Sequence, residues 1–158
     1  MYIFLFEDLN SKNRSLSAEL SYDNTNPYST GCASKSPITY ETEYIYKNGV
    51  KIGYVQLKGS AYCHTAWGYL KFYSSAPYDY YANVWGDSFN GTTKRAFTSC
   101  ASSGGNGWIK KGQTSGNTAQ LWNLDPYNAL AKAGIYSSSG ALMRTLVVIN
   151  EVLMQTFC

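Results

Sequence analysis

One turn constrains this chain more than any other feature. Ile38–Tyr46 alternates in side-chain character, Asn48-Gly49 follows, and Val50–Lys58 returns. An Asn-Gly pair between two such runs marks a two-residue hairpin, because both central positions of the favoured turn need positive φ. A two-residue turn also sets the register. It places Tyr46 opposite Lys51, Tyr44 opposite Gly53, Thr42 opposite Val55 and Tyr40 opposite Leu57. The other face pairs Glu43 with Tyr54, Glu41 with Gln56 and Thr39 with Lys58. The first face is apolar and the second polar. Tyr40, Tyr44, Val55 and Leu57 are therefore expected inside, with Tyr44 covering the strand glycine Gly53, and Glu41 and Glu43 outside.

Similar signals continue along the chain. Asn90-Gly91 predicts a second hairpin, with Asp87 facing Lys94 and Trp85 facing Ala96. Ala66–Tyr73 is apolar on both faces and reads as a central strand. Thr118–Asn123 and Leu130–Tyr136 are further candidates, although alanine and leucine in the second also suit the start of a helix. Fourteen glycines against four prolines fit many turns between short strands. Fifteen tyrosines suit pleated surfaces, with rings packed and hydroxyls wet. Together these predict an all-β fold: a single small antiparallel sandwich or barrel of about seven strands.

At 158 residues one domain is the default. The sequence divides into an N-terminal appendage at 1–21, a β-rich domain at 22–139 and an aliphatic C-terminal tail at 140–158, both ends poorly defined. The tail contains Leu146-Val147-Val148-Ile149, unlike the Tyr/Gly/Ser-rich middle, and Arg144, Asn150 and Glu151 make it too polar to span a bilayer. Met1–Phe6 starts apolar, but Glu7 and Asp8 end the run, so no intact signal peptide is expected there.

Composition argues against most chemistry. His64 is the only histidine, and the net charge is +3 with lysines spread along the chain, so no nucleic-acid partner is expected. Cys32, Cys63, Cys100 and Cys158 lack the close spacing of a zinc or redox motif. His64 adjoins Cys63, but strand neighbours point to opposite faces. Glu41 and Glu43 share a solvent face with no sign of a cleft. Ser102–Gly107 lacks the ending of a phosphate loop. No cofactor, metal or catalytic residue is expected, and the reading favours a non-enzyme. The aromatics remain. Tyr69, Tyr73, Tyr78, Tyr80, Tyr81, Trp85, Trp108 and Trp122 suit an exposed platform. Of these, Tyr78, Tyr80, Tyr81, Trp85 and Trp108 are the candidate ligand-binding residues. Tyr78–Tyr81 is the best placed, because consecutive rings on a strand cannot all point inward.

Two fragments carry a resemblance. Asn26-Pro27-Tyr28-Ser29-Thr30-Gly31-Cys32 gives a Pro-x-x-Thr-Gly-Cys turn, and Tyr62-Cys63-His64-Thr65-Ala66-Trp67 gives a Cys-x-Thr-x-Trp strand. With the hairpin between them, and Ala119–Asn123 and Ala129–Ile135 as closing strands, the chain resembles the YjfA-like family of small secreted bacterial proteins. The likeness covers roughly 24–136. It implies a secreted, extracellular compartment and a small β-fold, and no reaction.

The hairpin also bears on the cysteines. Ile38 and Gly59 lie at its open end, with Cys32 six residues before the one and Cys63 four after the other. Cys32–Cys63 is the preferred disulfide, Cys63–Cys100 the runner-up, and Cys158 is expected free. Three functions follow. The first is a secreted non-enzymatic domain that binds a glycan or cell-surface protein through exposed aromatics. The second is a cell-wall-directed hydrolase, which needs a pocket with two convergent carboxylates or His64. The third is a self-assembling extracellular oligomer, which needs an uncovered edge strand or an exposed Leu146–Ile149 patch.

Overall fold

The computed structural model describes residues 21–90, 93–98, 104–106, 108–123 and 127–149. They form two antiparallel sheets. The first contains β1 (Pro37–Lys47), β2 (Val50–Ser60) and β3 (Thr65–Phe72), with the short β6 (Ser115–Asn117) and β7 (Leu121–Trp122) both on the far edge of β3. The second runs β5 (Thr93–Thr98), β4 (Ala82–Asn90), β8 (Tyr127–Tyr136), β9 (Leu142–Ile149). This is the expected all-β class. The additions to the seven expected strands are β6 and β9. The alanine-rich Tyr127–Tyr136 segment is a strand, because β4 and β9 pair with it on both sides. Leu142–Ile149, set apart in the sequence as part of a tail, pairs with β8 from Leu130↔Ile149 to Tyr136↔Leu142.

Asn48-Gly49 makes the first turn, both residues at positive φ (51° and 77°). Tyr46↔Lys51 and Thr39↔Lys58 pair as the turn predicts. Between them the register differs by one residue. Ile52 is an extra residue in β2 and Tyr40 an extra residue in β1, so the two bulges cancel. Ile45 now lies opposite Gly53 and is fully buried, whereas Tyr44 pairs with Tyr54 and is 43% exposed. Tyr44 is therefore not a core residue. Val55 and Leu57 are buried and Glu41 and Glu43 exposed, as expected. The pairing places the two glutamates opposite Leu57 and Val55, not Gln56 and Tyr54. Tyr40, half-buried, lies over Gly59, where a Cβ would come within 2.4 Å of its ring.

In the second hairpin Asn90 pairs with Thr93 and so belongs to the ladder, while 91–92 lie outside the described residues. Asp87 pairs with Phe97 and not Lys94, and Ala96 faces Ser88 and not Trp85. The strand is held by β8 along Ala82–Asn90, and that pairing carries Asn90 into the ladder. Asp87, 2% exposed, still reaches Lys94 at 3.5 Å and Lys132 at 3.4 Å.

The core lies between the sheets. Ile45, Val55, Leu57, Leu70 and Phe72 come from the first sheet, and Ala82, Val84, Ala129, Ala131, Ala133 and Ile135 from the second. Each buried Val, Leu or Ile contributes about 1.5–3 kcal/mol. The alanines of β8 bring the sheets close at Gly68, where an added Cβ would stand 2.8 Å from Val84 and 3.1 Å from the Trp85 carbonyl.

Candidate functional site

Alternation gives β2 and β3 outward sets rich in tyrosine and lysine: Lys51, Tyr54, Gln56 and Lys58 on one, Trp67, Tyr69 and Lys71 on the other. Pairing brings these sets side by side, and the bulge at Ile52 adds Tyr44 from β1. The result is a tyrosine strip centred on Tyr54, with ring centroids 6.3 Å from Tyr44, 6.4 Å from Tyr69 and 6.1 Å from Tyr73. Lys51 sits 3.8 Å over the Tyr44 ring and Lys58 4.2 Å over the Tyr69 ring. Such contacts contribute about 0.5–1 kcal/mol each at exposed sites. Gln56 donates to the Thr42 hydroxyl at 3.1 Å and Lys71 to the Thr114 hydroxyl at 3.0 Å. Burial raises the Tyr54 pKa, helped by Tyr69, Tyr73 and Tyr44. Its hydroxyl is therefore a protonated donor at neutral pH. Burial lowers the pKa of Lys58.

One end of the strip is built by the Pro27–Cys32 turn. The Asn26 carboxamide oxygen accepts from the backbone N–H of Tyr28 (2.8 Å) and Ser29 (3.1 Å), and the Thr30 hydroxyl donates to the Asn26 carbonyl at 2.9 Å. Gly31 takes φ 81°, a conformation that disfavours other residues. Cys32 then joins Cys63, with Cα atoms 5.8 Å apart, which is the preferred pairing. Thr65 donates to the Gln120 side chain at 2.6 Å, and the Gln120 amide donates to Thr25 (2.9 Å) and Thr30 (3.0 Å). These bonds fasten the turn to β3, and Tyr28 packs edge-on to Trp67 at 6.3 Å.

The five aromatics singled out in the sequence fall into separate places. Tyr80, 60% exposed, stands edge-on to Trp108 at 5.2 Å, and Trp108 continues to Tyr136 at 5.5 Å. Tyr78 and Tyr81 meet edge-on at 5.3 Å. Tyr81 is half-buried against Phe72, and Tyr78 donates to the Tyr136 carbonyl at 2.7 Å. Both line a cavity of about 300 Å³ with Tyr46, Ile52 and Arg144. Trp85 lies apart on β4, over Gly134. Sequence reasoning missed Tyr44, Tyr54 and Tyr136. The alternation of β2 could have found Tyr54, and no local signal marks the other two.

Catalytic candidates separate as well. Cys63 is in the disulfide and holds no thiol for His64, whose ring stacks edge-on to Trp122 at 5.5 Å. Among the described residues no carboxylate lines the cavity at Tyr78 and Tyr81, its neighbour at Phe72 and Tyr73, or a third at Tyr28 and Trp67. Among the described residues no cluster of three His, Cys, Asp or Glu could hold a metal ion, and no helix is long and apolar enough to cross a membrane.

Comparison with known proteins agrees with the family resemblance of the sequence. The chain is 32% identical over 110 residues to the uncharacterized protein YjfA of Bacillus subtilis (strain 168), an alignment covering 70% of this chain and 68% of that protein. No solved structure matches it. The family model described as "Protein of unknown function (DUF2690)" matches residues 20–132, and the chain belongs to that family.

Proposed function

We propose that this chain is a secreted, non-catalytic domain that binds a glycan on the tyrosine face of β1–β2–β3. One observation carries the reading. Rings of Tyr44, Tyr54, Tyr69 and Tyr73 form a continuous patch on a solvent face, flanked by Lys51 and Lys58. Among the described residues, pairing and alternation put no carboxylate of β1–β3 on that face. Flat rings stack on sugar faces, while phenol hydroxyls and the Gln56 amide supply hydrogen bonds. The Cys32–Cys63 disulfide supports the secreted reading, since such bonds persist in oxidising compartments. Tyr80 and Trp108 offer a second, smaller platform.

The test is a glycan array on the full chain, followed by titration with the strongest oligosaccharide. Tyr54→Ala and Tyr69→Ala should each weaken binding about tenfold, near 1.4 kcal/mol, with little change in melting temperature. Unchanged affinity in the double variant, or capture of protein ligands without any oligosaccharide, would refute the reading.

A further inference from the structure

Beside the tyrosine strip, at its disulfide end, lies a cavity of about 260 Å³ lined by Tyr28, Pro37, Ile38, Thr39, Lys58 and Trp67, among others. The polar side chains of its lining, Tyr28, Thr39, Lys58 and Trp67, can all donate hydrogen bonds. The Trp67 indole N–H is buried and meets no hydrogen-bond acceptor among the described residues, although Trp67 is only 3% exposed. A buried N–H left unpaired is costly, so such a group calls for a partner. Tyr28 packs edge-on against this indole, and burial raises its pKa while the indole N–H draws it back down. The phenol oxygen thus lies toward the indole N–H, but the pair falls short of full hydrogen-bond geometry. Lys58 is half-buried, its ammonium disfavoured by desolvation, and its recorded contact is the face of Tyr69. Thr39 pairs with Lys58 across β1 and β2 and adds a hydroxyl.

An indole N–H, a phenol O–H and an ammonium around one cavity, with no carboxylate among the described residues of its lining, match an anionic acceptor with two oxygens. We infer that this cavity is a subsite for the carboxylate of an acidic sugar, whose neighbouring rings lie along the tyrosine strip. The inference rests on the glycan reading and adds its substrate class. Lys58 joins the two parts, because it lines the cavity and lies over Tyr69, a member of the strip. The carboxylate gives the buried Trp67 indole the acceptor it lacks.

The test follows the Trp67 indole ¹⁵N–¹H resonance while the full chain is titrated with a glucuronate-terminated oligosaccharide, its glucose-terminated counterpart and acetyl-dialanine. The acidic oligosaccharide should bind at least tenfold tighter than the neutral one and shift the Trp67 resonance. Lys58→Gln should abolish that preference, so that the two oligosaccharides bind equally, and Trp67→Phe should reduce it. Equal affinity for the two oligosaccharides with a silent Trp67 would overturn the subsite but leave the strip intact. A Trp67 shift with acetyl-dialanine at equal or higher affinity would assign the cavity to a peptide terminus and overturn the sugar assignment. Loss of all oligosaccharide binding in Tyr54→Ala, with the acidic preference absent in the wild type, would refute the subsite alone. No oligosaccharide binding by the wild type would refute both.

Discussion

At the scale of single residues, three phenols connect surface chemistry to folding. Burial raises the pKa of Tyr28, Tyr54 and Tyr81 above the ordinary value of 10.0. The folded state therefore holds these protons longer than the unfolded chain does. The stability linked to them is fully present below pH 10 and is lost as pH rises through the folded-state values. Lys58 acts in the opposite sense, since its lowered pKa adds stability as pH climbs toward 10.5. Comparison with a variant isolates the phenols. Tyr81→Phe keeps the ring against Phe72 and removes one raised group, so its alkaline unfolding midpoint should move to higher pH than that of the wild type. Circular dichroism across alkaline pH checks this, and a midpoint moving down would contradict the sign. The strip's rings were hard to place from sequence for a related reason. Tyrosine is at home both in a core and on a wet face, so composition shows that there are many rings but not where each one goes.

At the scale of elements, the first hairpin shows what turn chemistry can and cannot specify. Asn48-Gly49 sets Tyr46 opposite Lys51, and Thr39 opposite Lys58 is right at the far end. The interior is offset because Ile52 and Tyr40 each add a residue on opposite strands. Counting residues along an alternation cannot detect a pair of bulges that cancel. That offset moves Tyr44 from the core to the strip, which is why the candidate site was only partly legible. The disulfide was legible because it depends on the hairpin's two ends and not on its interior. It closes a 31-residue separation, which in the chain-entropy model stabilises by about 3–4 kcal/mol. A Cys32→Ala/Cys63→Ala double variant should lose about that much in denaturant unfolding. It should also lose the close approach of Tyr28 to Trp67, visible as a change in the Trp67 indole resonance. A loss below about 1 kcal/mol would mean that the Gln120, Thr25 and Thr30 hydrogen bonds hold the turn without it.

At the scale of the whole molecule, the second sheet takes up the aliphatic run at Leu142–Ile149 as its strand β9. The aliphatic run near the C-terminus differs in composition from the Tyr/Gly/Ser-rich middle, and composition alone separates the two. In the fold β9 pairs with β8 from Leu130 to Tyr136, and Arg144 donates to the Tyr46 carbonyl on β1. The strand therefore covers an edge of its own sheet and also reaches the first hairpin. Without it, the β8 backbone groups on that side would lie unpaired beside small side chains, Ala129, Ala131 and Ala133, that offer little bulk to shield them. A chain cut to residues 22–139 should accordingly lose about 3 kcal/mol or more, which for a domain of this size is on the order of 10 °C in melting temperature. It should also self-associate through the opened edge, as measured by size-exclusion chromatography with light scattering. A monomeric 22–139 fragment melting with the full chain would show that β9 contributes nothing to the domain and would place its boundary before Leu142. The same fragment separates folding from binding. The tyrosine strip lies wholly on β1–β3 and Tyr73, so residual folded material should keep its oligosaccharide affinity even as its stability falls.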